Sequence, residues 1–213
     1  MSWQLQLHHF KEAHAIGLPG HPVGMGRKTI GEYVESVEEY IEKNAIEYPV
    51  LVGHSMGGAI AIEYALNHAG LEGLVLVGTG ARLRVRQDLM EMILQDYVVA
   101  SKTIARISVS PMCAELLVER IAREMLKVPA EVTYGDFEAC NRFDRMNDVE
   151  KINCRTMIAC GADDELAPPK YSLYLHQKIR NSHMNIIEGA GHCVMLEKHR
   201  AFNALLEVFS GSL

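Results

Sequence analysis

The sequence predicts an α/β fold, a mostly parallel sheet flanked by helices and carrying a helical insertion. Three observations predict it. Short apolar runs at residues 48–53 (YPVLVG), 73–77 (GLVLV), 155–160 (RTMIAC) and 184–187 (MNII) alternate with helical segments. Strands apolar on both faces and separated by helices belong to parallel sheets covered on both sides. The strand signal disappears between about residues 81 and 150, where helical stretches such as 89–99 and 114–126 take over. A glycine-rich hexapeptide, Gly53-His54-Ser55-Met56-Gly57-Gly58, joins one strand directly to a small-residue helix at 57–68. The expected organisation is a discontinuous core, 1–80 with 151–213, and a helical cap, 81–150.

Residues 13–18 (AHAIGL) read as a weak buried strand ending at Pro19-Gly20. A clear helix follows. Thr29-Ile30-Gly31-Glu32 fits a capping box, in which the threonine and glutamate side chains satisfy orphan amides reciprocally. Behind it Ile30, Tyr33, Val34, Val37, Tyr40 and Ile41 share one helical face. Beyond the insertion a helix is expected near 169–179. The last helix repeats the pattern with Phe202, Leu205, Leu206 and Phe209.

Composition removes several function classes. The 213 residues suffice for one domain with a modest insertion, and 48% hydrophobic with 23% charged residues excludes disordered, collagen-like and coiled-coil chains. Lysine and arginine number 21 against 27 acids, a net charge of −6 without a dense basic patch. Neither nucleic acid nor an anionic membrane surface is expected as a partner. No apolar run approaches the ~18–20 residues that a bilayer crossing needs. Residues 1–11 are too polar for a signal peptide. Five cysteines, Cys113, Cys140, Cys154, Cys160 and Cys193, include no C-x-x-C pair and read as buried free thiols. The expectation is a cytoplasmic protein with no metal and no cofactor.

The chemistry concentrates on Ser55. A G-x-S-x-G motif between a strand and a helix is the context of a nucleophile elbow, whose serine hydroxyl projects at a helix N-terminus. A glycine-rich turn with a capping serine has the same pattern. A serine needs a base, and the base an orienting acid. His192, in Gly189-Ala190-Gly191-His192, follows a strand and so lies at the sheet edge where Ser55 opens. His54 is a structural neighbour, and His8, His9, His14 and His21 match no common metal spacing. Asp163, Asp164 and Glu165 follow the strand at 155–160, and residue pattern alone leaves the choice among them open.

The sequence resembles the α/β-hydrolase superfamily over almost its whole length, and within it small capped carboxylesterase-type serine hydrolases. GHSMGG resembles the family's elbow, Gly161–Pro168 its GxxDxxxP loop, Ala190-Gly191-His192 its histidine loop, and Leu18-Pro19-Gly20-His21 its D-x-P-G-H-G turn with Gly17 in the aspartate position and Pro22 for the last glycine. The resemblance implies hydrolysis of carboxylic esters of small to medium acyl groups through an acyl-enzyme. Ser55 would be nucleophile, His192 general base and acid, Asp164 the orienting acid, and the Met56 N–H an oxyanion donor. The same triad could serve C–C, amide or lactone hydrolysis or perhydrolysis, and an impaired fragment or binding module is the other alternative.

Two expectations follow from departures and composition. The family begins with strands and an HG-type oxyanion loop, whereas residues 3–10 look like the helix after that loop. Strands at 13–18 and 48–53 would then face a gap of unpaired backbone groups and one oxyanion donor would be missing, so the expectation is a strand-exchanged homo-oligomer, a weak enzyme, or both. Met90, Met92, Met112, Met125 and Met146 crowd the insertion, where they either line an acyl pocket or fill gaps between helices.

Overall fold

The computed structural model describes residues 2–211, so Met1 and residues 212–213 lie outside the described residues. Among them four strands form one sheet, β1 (Val50–His54), β2 (Gly73–Val77), β3 (Arg155–Gly161) and β4 (Ser182–Ile187), in the order β1-β2-β3-β4. Every pair is parallel, with Val50 opposite Gly73, Gly73 opposite Arg155 and Thr156 opposite Ser182. All four carboxyl ends therefore open on one edge. The expected α/β class is the observed one.

The helices are α1 (Gln4–His9), α2 (Ile30–Lys43), α3 (Met56–Asn67), α4 (Gln87–Gln95), α5 (Tyr97–Ile107), α6 (Glu115–Met125), α7 (Ala130–Arg142), α8 (Pro169–Lys178), α9 (Val194–Glu197) and α10 (His199–Ser210). Strand β2 shows how they enclose the sheet. Leu74 and Leu76 face a core built with Tyr33, Ile62, Ile158 and Leu175, from α2, α3, β3 and α8. Val75 and Val77 face the opposite core, with Ala159, Met195, Phe202 and Phe209 from β3, α9 and α10. Full burial of a side chain such as Phe202 stabilises by about 1.5–3 kcal/mol. No described helix is long and apolar enough to cross a membrane.

The capping box at the start of α2 is present, with Glu32 N donating to Thr29 Oγ1 (3.2 Å) and Thr29 N to Glu32 Oε2 (3.0 Å). Two expectations fail. Residues 13–18 are irregular and make no ladder, so no strand there faces β1, and β1 itself forms the sheet edge among the described residues. Ile16 and Leu18 still pack on the core, which accounts for their apolar character without a strand. The run 89–99 is not one helix. Asp96 ends α4 and its carboxylate caps α5, accepting from the Val98 and Val99 amides (both 3.0 Å), a local competition that breaks helices. Helices α4, α5 and α7 share a core of Leu89, Ile93, Ala100 and Ile104 packed against Tyr134 and Phe137. Bidentate Arg145–Glu63 hydrogen bonds (2.7 Å each) then tie the chain after α7 back to α3.

The irregular segment before α2 is held by charge. His21 Nε2 lies 2.9 Å from Asp136 Oδ2 on α7, and Nδ1 lies 3.1 Å from the Pro19 carbonyl. Both partners only accept, so the arrangement favours the charged ring, which can donate from both nitrogens. Tyr33 donates to the second Asp136 oxygen at 2.5 Å. The Asp136 hydrogen bond raises the His21 pKa, against the opposing effect of burial. A raised folded-state pKa gives stability that is complete below about pH 6.5 and is lost as pH rises through the folded value. Urea unfolding should show His21→Ala costing roughly 1–3 kcal/mol near pH 6, because a buried carboxylate loses a donor. The difference from wild type should shrink toward pH 9, and a pH-independent difference would contradict the charged bridge.

Candidate active site

Strand β1 ends at His54 and α3 begins at Met56, leaving Ser55 as the whole of the turn. Its φ of 54° and ψ of −118° are strained for a residue with a Cβ. Hydrogen bonds hold it there. Ser55 N donates to the Val77 carbonyl (2.9 Å), and Ser55 O accepts from Gly58 N (2.9 Å) and Thr79 Oγ1 (2.8 Å). The side chain makes no capping bond to α3, so the capping-serine alternative does not describe this turn. Met56 occupies the first helical position, with its amide at the helix N-terminus.

The room for this turn comes from Gly53 and Gly58. A Cβ on Gly53 would sit 2.2 Å from the Gly57 carbonyl oxygen, and one on Gly58 would sit 2.4 Å from Thr79 Cγ2. A Cβ on Gly57 would meet nothing within 4 Å. The space for the turn is thus made by Gly53 and Gly58 and not by Gly57, which points into the open.

The loop after β3 separates the three candidate acids. Asp163 and Glu165 are exposed, whereas Asp164 is buried. Asp164 Oδ1 accepts from the Leu166 (2.9 Å) and Ala167 (2.8 Å) amides. His192 Nδ1 lies 2.9 Å from Oδ2 and 3.1 Å from Oδ1, and the ring is buried with it. A carboxylate accepting two amides is acceptor-only, so Nδ1 carries the hydrogen and Nε2 is left for other work. Two glycines admit the pair. Gly78, at φ 51°, would place a Cβ 3.2 Å from both Asp164 Oδ2 and His192 Nδ1, and a Cβ on Gly161 would sit 2.1 Å from the Ala190 carbonyl.

Asp164 and His192 are thus directly paired, and His54, the chain neighbour of Ser55, lies against His192. The His54 and His192 rings lie 4.6 Å apart, and His54 Nε2 is 3.0 Å from the His192 carbonyl. Burial, then the nearby His192, pushes the His54 pKa well below the usual histidine value, so His54 is neutral and donates to that carbonyl. The serine's chain neighbour therefore braces the histidine's backbone.

One brace was not foreseen from the sequence. Glu197 on α9 accepts from Gly191 N (2.8 Å) with one oxygen and from Ser110 N (2.7 Å) with the other, clamping the histidine loop to the chain after α5. A lone glutamate five residues past a histidine carries no sequence signal for such a clamp. The other histidines lie elsewhere, His9 against Glu207 and His14 against Tyr40. No three His, Cys, Asp or Glu side chains group as a metal site among the described residues. Met92 and Met125 pack against the core that α4, α5 and α7 share, while Met112 is exposed.

The family model for the alpha/beta hydrolase family matches residues 2–205, and the chain belongs to that family. It is 23% identical over 211 residues to a pimeloyl-[acyl-carrier protein] methyl ester esterase of Neisseria meningitidis, covering 92% of this chain and 67% of the relative. Among solved structures, a thermophilic esterase is 34% identical with a TM-score of 0.89, covering 99% of this chain and 84% of its own. An esterase from Exiguobacterium antarcticum shares the fold with a TM-score of 0.91 at 21% identity, over 98% of this chain and 86% of its own.

The glycine geometry makes a contrast that the G-x-S-x-G motif does not. Gly57→Ala should leave the serine turn intact and add about 0.5–1 kcal/mol of stability, since alanine is the better helix former. Gly53→Ala should collapse the turn, with loss of both activity and thermal stability. Equal damage from the two substitutions, measured by melting and ester turnover, would contradict this account of the elbow.

Proposed function

We propose that this chain hydrolyses carboxylic esters of small to medium acyl groups. Ser55 acts as nucleophile, His192 as general base and acid, Asp164 as orienting acid and the Met56 amide as oxyanion donor. The observation that carries this reading is a strained, uncapped serine at one strand end, with a buried Asp164–His192 pair on loops at the carboxyl edge of the same sheet. Similarity to esterases supports the substrate class. The free cysteines support a reducing, cytoplasmic setting.

In this mechanism His192 Nε2 takes the Ser55 proton as Oγ bonds to the ester carbonyl carbon. The carbonyl electron pair moves onto oxygen, and that charge is met by the Met56 N–H at the positive end of α3. Collapse breaks the bond to the alcohol oxygen, which departs with the proton held by His192. Water repeats the sequence on the acyl-enzyme, delivering a proton to His192 and then to Ser55. Asp164 remains ionised throughout, keeping Nδ1 protonated and steadying the imidazolium.

A fluorophosphonate should add one group per chain, on Ser55, and Ser55→Ala should abolish it. Labelling of another serine in folded protein would overturn the assignment. Asp164→Asn should lower kcat by roughly 10⁴, the loss seen when the triad acid of a serine protease becomes an amide. Asp163→Asn and Glu165→Gln should stay close to wild type, because both side chains are exposed. A larger loss at Asp163 would remove Asp164 from its role.

A further inference from the structure

A concavity of about 240 Å³ lies where the insertion joins the core and is lined by none of the four proposed active-site residues. Arg82, Arg84 and Lys170 line it together with Met146, Tyr171 and Tyr174, three cations and no carboxylate. Both connections of the insertion run past it. Arg82 and Asp144 form an antiparallel backbone bridge, and Arg145 N donates to the Ala81 carbonyl at 2.7 Å.

The cations here are incompletely used. Arg82 Nη1 and Arg84 Nη2 share a single oxygen, Asp144 Oδ2, each at 3.7 Å, beyond hydrogen-bond length. All three side chains are about half exposed, and pairs of that length in water hold little. Arg84 is positioned by its Nη1, which donates to the Leu83 (2.7 Å) and Asn141 (2.8 Å) carbonyls, leaving Nη2 free of short contacts. Lys170 has no carboxylate within ion-pair distance among the described residues, and its Nζ lies 5.8 Å from the Tyr171 ring centre. Tyr174 is fixed by donating to the Met146 carbonyl at 2.8 Å, so the aromatic wall beside the cations is held in place.

We propose that this concavity is a binding site for a small oxyanion with a short apolar or aromatic tail, such as an aryl or alkyl phosphate. The Arg82 and Arg84 guanidiniums and the Lys170 ammonium would hold the oxyanion. Tyr171, Tyr174 and Met146 would cover the tail. The site stands apart from the proposed ester chemistry, so it does not depend on the role of Ser55.

Binding can be followed by protein NMR or calorimetry at ionic strength held constant with sodium chloride, using phenyl phosphate, phenylacetate, inorganic phosphate and benzyl alcohol. Phenyl phosphate should bind saturably at one site and at least tenfold more tightly than benzyl alcohol, with inorganic phosphate weaker than the aryl ester. The order of phenyl phosphate and phenylacetate tells a phosphate-type ligand from a carboxylate-type one. Ser55→Ala should leave binding unchanged. Arg82→Gln with Lys170→Gln should weaken it at least tenfold, whereas Arg82→Lys with Lys170→Arg should retain it, both checked for a native melting curve. Binding that persists in the double glutamine variant, is lost in Ser55→Ala, or is absent from wild type would overturn the site.

Discussion

A serine held at φ 54° is the constraint on which the rest of the proposed site depends. Such a backbone costs on the order of 1–3 kcal/mol and persists only where its surroundings over-determine it. Here the surroundings are specific. The Ser55 amide is taken by β2 through Val77, its carbonyl is taken by Gly58 and Thr79, and Gly53 and Gly58 leave no Cβ in the way. The strain turns the residue between strand and helix, so that its hydroxyl is left out of the capping network. A relaxed turn would let the same hydroxyl cap α3.

The parallel sheet supplies the second half of the arrangement. Because every strand runs the same way, the loops after β1, β3 and β4 open on one edge, and residues far apart in sequence meet there. Burial of Asp164 is tolerable because two amides and His192 satisfy its oxygens. His54 and Glu197 both hold the histidine loop, one through the His192 carbonyl and the other through the Gly191 amide. The clamp by Glu197 also reaches Ser110, so the position of the histidine loop and that of the chain after α5 are mechanically linked.

Much of this was legible in the residues, and the misses have physical causes. Strand β2 is apolar at every position and bounded by turn residues, so its limits are read directly. The Thr29–Glu32 box is a local hydrogen-bond device and survives as expected. Residues 13–18 mislead because Ile16 and Leu18 are apolar for docking on the core, and apolar alternation cannot tell docking from a ladder. Asp96 misleads because its side chain caps a second helix inside one apolar periodic run. The resemblance that singled out Asp164 agrees with its being the one buried acid of the three. The His21–Asp136 bridge and the Glu197 clamp were invisible, since each joins segments whose contact exists only in the folded chain.

The central claim is that Ser55 and the Asp164–His192 pair work as one acyl-transfer unit. It is tested most directly by rapid-quench intact mass spectrometry with an activated aryl ester, followed by peptide mapping. The account predicts a transient adduct of one acyl mass on Ser55, forming in a burst with release of the alcohol and decaying at the steady-state rate. Ester turnover with no acylated intermediate, or with the acyl group on a different residue, would contradict it.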